Sequence, residues 1–181
     1  MPNSLMPFFH MFSQKGSSLV EVIFYITVLA LFVISMTMFN IDLLSGSAKL
    51  RTIQSVQDNL RFPIHKMSTD IRRSTGVNIG SSVFDTHPGV LSLQMASAGE
   101  DPTVYSISSG RLRVQRGAAS PEFVTSSNVI VTNLVFKNLS VSGKTRNIQV
   151  LLTVSHDNPE NINEYSWTES FQITGQSRKF P

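Results

Sequence analysis

Apolar positions follow three successive rhythms along the chain. Residues 19–41 form a nearly continuous apolar run of about 23 residues in which Glu21 alone is charged. Wound as a helix at about 1.5 Å per residue, the run would be ~34 Å long, enough to cross the hydrocarbon core of a bilayer. Beyond it, Ile53, Val56, Leu60, Ile64, Met67 and Ile71 recur every three or four residues, so the helix continues as a stem with one apolar stripe. Pro63 inside the stripe removes a backbone donor and predicts a kink. Gly46 weakens the helix nearer the membrane, and Gly76, after Arg72 and Arg73, predicts its end.

From about Gly89 the period changes to two. Strands are predicted at 90–95, 103–107 and 111–114, with Ser109-Gly110 as a tight hairpin turn, and again at 129–138, 147–155 and 166–175. Strands following one long helix, without alternating helices, indicate an α+β fold. A long N-terminal transmembrane and stem helix packs on a C-terminal antiparallel β-sheet domain, the stripe from Ile53 to Ile71 covering one face of the sheet. The N-terminal half of such a helix cannot be buried by its own small domain and must find lipid or other subunits.

Composition changes this picture little. Charged residues are only 15% of the 181, and mean hydropathy is +0.04, too apolar for a disordered chain. Cys is absent, which excludes a disulfide framework, thiolate metal sites and a Cys nucleophile. Basic residues gather in the stem, where Lys49, Arg51, Arg61, Lys66, Arg72 and Arg73 outnumber Asp58 and Asp70. They read as a solvated helix face or as a surface for anionic headgroups or nucleic acid. The positive-inside rule would place this stem in the cytoplasm.

Catalytic chemistry is not indicated. No phosphate-binding Gly loop, dinucleotide fingerprint or paired-His helix motif occurs. His10, His65, His87 and His156 stand far apart, and Asp157, Asn158, Glu160 and Asn161 lack the spacing of a calcium loop, so no metal and no cofactor is expected. Ser and Thr residues have no accompanying base signature, and the chain is not read as an enzyme.

Glu21 does demand explanation, because a carboxylate in hydrocarbon is costly and is usually partnered or functional. It closes the segment Lys15-Gly16-Ser17-Ser18-Leu19-Val20-Glu21-Val22. That octapeptide resembles the prepilin-type cleavage and methylation signal of type IV pilins and of type II secretion and DNA-uptake pseudopilins: a basic residue, Gly, a bulky apolar residue, a small or hydroxyl residue, Leu, an apolar residue, then Glu, followed at once by an apolar helix. The chain departs from the pattern at Ser17, where the family usually has Phe. The residues Asp58-Asn59-Leu60 and Met67 to Gly76 are similar to the helix end of minor pilins, and Asn147 to Val154 with Phe171-Gln172-Ile173-Thr174 to the closing strands of J-type pseudopilins and minor pilins. The C-terminal Cys pair of many major pilins is missing.

The resemblance implies a structural minor pilin or pseudopilin that primes or caps a type IV pilus-like filament. Residues 1–16 would be a leader with Lys15 as its basic residue, 17–42 the transmembrane and filament-core helix, 43–75 an outward-facing stem and 76–181 the β-sheet domain. A prepilin peptidase would cut between Gly16 and Ser17, the new Ser17 amine would be the candidate for N-methylation, and Glu21 would neutralise the N-terminal amine of a neighbouring subunit. The implied partners are the peptidase, other pilin-like subunits and, before assembly, the cytoplasmic membrane, crossed once with the C-terminal domain outside. This overrides the positive-inside orientation. Two other readings stand beside it. One is a DNA-uptake pilin whose Arg111, Arg113 and Arg116 or basic stem contact DNA. The other is a signal-anchored exported domain unrelated to filaments; the span itself competes with a secretory signal peptide that has Lys15 as its basic region and Ser45, Gly46, Ser47 and Ala48 as a distal cleavage site.

Overall fold

The computed structural model describes residues 18–140 and 147–177. It is α+β, with one long helix and antiparallel strands. Helix α1 (Leu19–Arg73) is followed by β1 (Gly76–Val77), β2 (Leu91–Gln94), β3 (Thr103–Ser108), β4 (Arg111–Arg116), β5 (Glu122–Phe123), β6 (Val129–Asn138), β7 (Asn147–His156) and β8 (Thr168–Gln176). Its contacts divide the chain into two compact units, Met1–Leu44 and Ser45–Pro181.

In the second unit the stem stripe enters the core as its spacing requires. Val56, Leu60, Ile64, Met67 and Ile71 are buried, while Ile53 is half-buried and the neighbouring Thr52 takes the covered place, its hydroxyl donating to Ala48 O. The helix does not stop at Pro63, whose ring is itself buried. Nor does Gly76 end it. Helix α1 closes at Arg73, where Ser74 N–H donates to Asp70 O and the Ser74 hydroxyl donates to Ile71 O at 2.7 Å. These bonds satisfy carbonyls that a glycine cap would otherwise serve. Gly76 opens β1 opposite Gln94.

The strands form two sheets rather than one. The first has the order β1-β2-β3-β4-β5 and the second β6-β7-β8, every pair antiparallel. Ser109 and Gly110 join β3 to β4 with φ of 51° and 70°, the left-handed pair that a two-residue hairpin requires. The second sheet reverses its inward parity along β6. Val129 and Val131 are buried, the register shifts between Val131 and Asn133, and Leu134 and Phe136 are buried thereafter. One extra residue moves the side chains that follow it to the opposite face, and here it keeps both halves of β6 against the core. On β7, Ile148, Val150, Leu152 and Val154 are buried in strict alternation.

One core joins both sheets to the stem. The outer edge of β6 is covered: Asp85 N and Gly89 N donate to Phe136 O and Leu134 O, His87 Nδ1 accepts from Leu134 N, and Val131 N donates to Gly110 O. At the other edge, Gly175 of β8 lies so close to α1 that a Cβ there would stand 2.8 Å from Ile71 Cγ2.

Candidate functional site

The first 26 residues of α1 are exposed almost throughout, with apolar side chains such as Leu19, Val20, Phe24, Leu29, Phe32, Phe39 and Leu44 open to the surroundings. The helix is long and apolar enough to cross a membrane. Four of its polar side chains are turned back on its own backbone. Thr27, Ser35 and Thr37 hydroxyls donate to Ile23 O, Leu31 O and Val33 O at 2.8–2.9 Å, and Asn40 Nδ2 donates to Met36 O at 2.7 Å. A helix that returns its hydroxyl and amide donors to carbonyls four residues back presents few unsatisfied polar groups to an apolar solvent.

Glu21 is held differently. It lies in the first helical turn, where a negative charge meets the positive end of the helix dipole. The Tyr25 hydroxyl donates to Glu21 Oε1 at 3.1 Å, one turn along. Glu21 has no ion pair among the described residues. Of the residues that the sequence pattern singles out for processing and assembly, Glu21 is therefore placed, whereas Lys15, Gly16 and Ser17 lie outside the described residues. Tyr25 was not among the expected site residues, although its spacing of four from Glu21 is the one signal that points to it.

Seven of the basic residues are engaged with other groups of the chain. Arg111 donates to Thr125 O through Nε and Nη2 and stacks its guanidinium 4.0 Å from the Phe123 ring centre. Arg113 donates to Ser106 Oγ. Arg116 has the opposite strand parity from these two and turns to Asp70. In the stem, Lys49 donates to Asn163 O and Ser166 O, Lys66 faces Glu122 at 3.8 Å, Arg72 donates to Ser68 Oγ, and Arg73 pairs with Glu100 at 3.1 Å.

Asp70 was read from the sequence only as a counter-charge in the stem, yet it is the buried centre of the network that ties α1 to the first sheet. It is 2% exposed and accepts from Tyr105 Oη at 2.6 Å and Arg116 Nη2 at 2.9 Å, both on Oδ2. Glu100 extends the network, bonded to Arg73 and 3.9 Å from Arg116. Burial, reinforced by the bond to Asp70 and its charge, pushes the Tyr105 phenol far above its ordinary range, against a smaller opposing pull from Arg116. Burial also works against the Arg116 charge, but Asp70, with Tyr105 and Glu100 adding to it, raises that guanidinium above its ordinary value. A fully paired cluster of this kind, with the carboxylate accepting from two donors, holds elements in register and offers no free group for acid–base chemistry.

No group of three or more His, Cys, Asp or Glu side chains that could hold a metal ion occurs among the described residues. His87 serves the β6 edge, and His156 stacks on Tyr165 with ring centres 5.9 Å apart. Asn158 spends its amide locally, donating to Ile162 O and accepting from Ile162 N. No family model, curated protein or solved structure matches the chain.

Proposed function

We propose that this chain is a structural subunit of a type IV pilus-like filament, a minor pilin or pseudopilin that primes or caps it. The observation that carries the reading is a carboxylate, Glu21, in the first turn of a helix whose apolar side chains from Leu19 to Leu44 are exposed among the described residues. Just ahead of it stands the prepilin-type junction Lys15-Gly16-Ser17.

Physical chemistry connects these parts. A peptidase that cuts after Gly16 frees the Ser17 amine, and that amine supplies the positive charge that Glu21 lacks. Before cleavage the helix is a single membrane span with the sheet domain outside. In a filament the same apolar surface packs on neighbouring helices, and the gain over lipid comes from close packing and polar pairing rather than from hydrophobic transfer. An amine–carboxylate pair between subunits offsets much of the cost of burying either charge and sets their register.

The test is Glu21→Gln. It keeps the size of the side chain and removes its charge, so membrane insertion and cleavage should survive while incorporation into sheared filaments falls. The neighbour's amine would be buried without its counter-charge, a loss of about 3 kcal/mol by comparison with broken buried pairs. Equal incorporation of wild type and variant would mean that Glu21 sits at the membrane surface with no role in assembly.

A further inference from the structure

We propose that Tyr25 is a positioning residue for Glu21, holding one carboxylate oxygen through its hydroxyl and leaving the other to capture the ammonium of a neighbouring subunit. The proposal rests on the filament reading above and names the residue that prepares its central contact.

The geometry is local and specific. Tyr25 stands one helical turn beyond Glu21, and its hydroxyl donates to Oε1 at 3.1 Å. Both residues are exposed on the apolar half of α1. The polar side chains at Thr27, Ser35, Thr37 and Asn40 return to backbone carbonyls instead, so the hydroxyl of Tyr25 differs from them in serving a carboxylate.

The chemistry explains why a phenol suits this place. An ionised carboxylate in an apolar setting needs donors, and water is scarce there. A phenol supplies one donor without supplying a charge. It therefore makes Glu21 tolerable in the unassembled helix but leaves its negative charge uncompensated, so an ammonium still gains the stronger, charge-assisted bond. Anchoring Oε1 also restricts the carboxylate rotamers before the neighbour arrives, which lowers the ordering cost of the contact. A Lys or Arg at position 25 would instead neutralise Glu21 within its own helix and remove the reason to pair between subunits.

Tyr25→Phe deletes the hydroxyl and keeps the ring, so lipid and helix packing are preserved. Full-length wild type, Y25F, E21Q and the double variant are compared by the ratio of protein in sheared filaments to processed protein in the membrane. Y25F should lower the ratio about tenfold, the scale of a hydrogen bond to a charged group, but should change it less than about twofold in the E21Q background. Y25F equal to wild type while E21Q is depleted would overturn the role of Tyr25 alone. The same loss from Y25F in both backgrounds would also overturn it, because the ring would then act independently of the carboxylate. E21Q equal to wild type would overturn the assembly role of Glu21 and the proposal with it, whereas absence of the wild-type chain from sheared filaments would overturn the filament reading itself. A readout that needs no filament separates the pair from its use: in phospholipid vesicles, the Raman ring doublet of Tyr25, isolated by difference against Y25F, should report a donating hydroxyl and should change in Glu21→Ala. An unchanged doublet would contradict the pairing.

Discussion

The hydroxyl of Tyr105 on β3 donates to the carboxylate of Asp70 on α1 at 2.6 Å, joining residues 35 positions apart inside the core. Arg116 on β4 reaches the same oxygen at 2.9 Å. The stem is thus fastened to the sheet domain by polar bonds as well as by its apolar stripe.

Asp70→Asn should therefore destabilise the domain more than Tyr105→Phe. The first leaves the Arg116 guanidinium, about one-third exposed, facing a neutral amide, with an expected loss of about 3 kcal/mol, the lower end for a broken buried pair. The second removes one bond to a carboxylate that keeps its arginine, at about 2 kcal/mol. Urea unfolding of both variants checks the order, and a smaller loss for Asp70→Asn than for Tyr105→Phe would contradict it.

Tyr105 also predicts how stability changes in alkali. The unfolded chain loses the phenolic proton as pH passes the ordinary value of 10.0, while the folded chain keeps it well above that value. The unfolded state then binds fewer protons than the native state, so this contribution is complete below pH 10.0 and is lost as pH rises beyond it. Between about pH 9 and about pH 11 the unfolding midpoint of the wild type should fall further than that of Tyr105→Phe. Parallel declines would show that the phenol does not carry the effect.

Gly175→Ala tests the approach of β8 to the helix. The added methyl would stand 2.8 Å from Cγ2 of Ile71, a fully buried side chain that cannot swing aside. The expected loss is about 1–3 kcal/mol, as for other overpacked cores, measured by thermal or urea unfolding. A neutral or stabilising result would show that helix and strand are further apart than described.

The fragment of residues 45–181 should fold alone, because the buried stripe from Val56 to Ile71 and both sheets share one core within it. It should be soluble and monomeric, with mixed helix and strand by circular dichroism. Titrating it with DNA at rising salt tests the nucleic-acid reading, since phosphate contacts weaken steeply with salt. Because Arg111, Arg113 and Arg116 are engaged within the domain, no salt-sensitive binding is expected.

How far the fold was legible depended on the range of the interactions involved. Alternation located β3, β6 and β7 to within about two residues, because the period of a half-buried strand is written in its own side chains. The Ser109-Gly110 turn and the stem stripe were legible for the same local reason. The bulge near Thr132 was not, since an extra residue is visible only against the strand that it faces. The two-residue strands β1 and β5 carry no periodicity, and without them or their pairing the division into two sheets could not be read. Asp70 looked like any stem acid because its partners lie 35 and 46 positions away. Gly76 was misread as a helix stop because Ser74, two residues earlier, already satisfies the last turn. At the candidate site, Glu21 was evident from its place in an otherwise uncharged apolar run, whereas its bond to Tyr25 is a matter of rotamer and spacing together.

Processing at the junction ahead of α1 separates a filament subunit from an ordinary exported domain, and the intact mass of the protein extracted from membranes measures it directly. Cleavage between Gly16 and Ser17 should give a mature chain that starts at Ser17, with or without one methyl group on its amine, and Gly16→Leu should leave the precursor uncut. A chain that retains Met1, or one that begins near Ala48 as an ordinary secreted domain would, contradicts the filament-subunit reading.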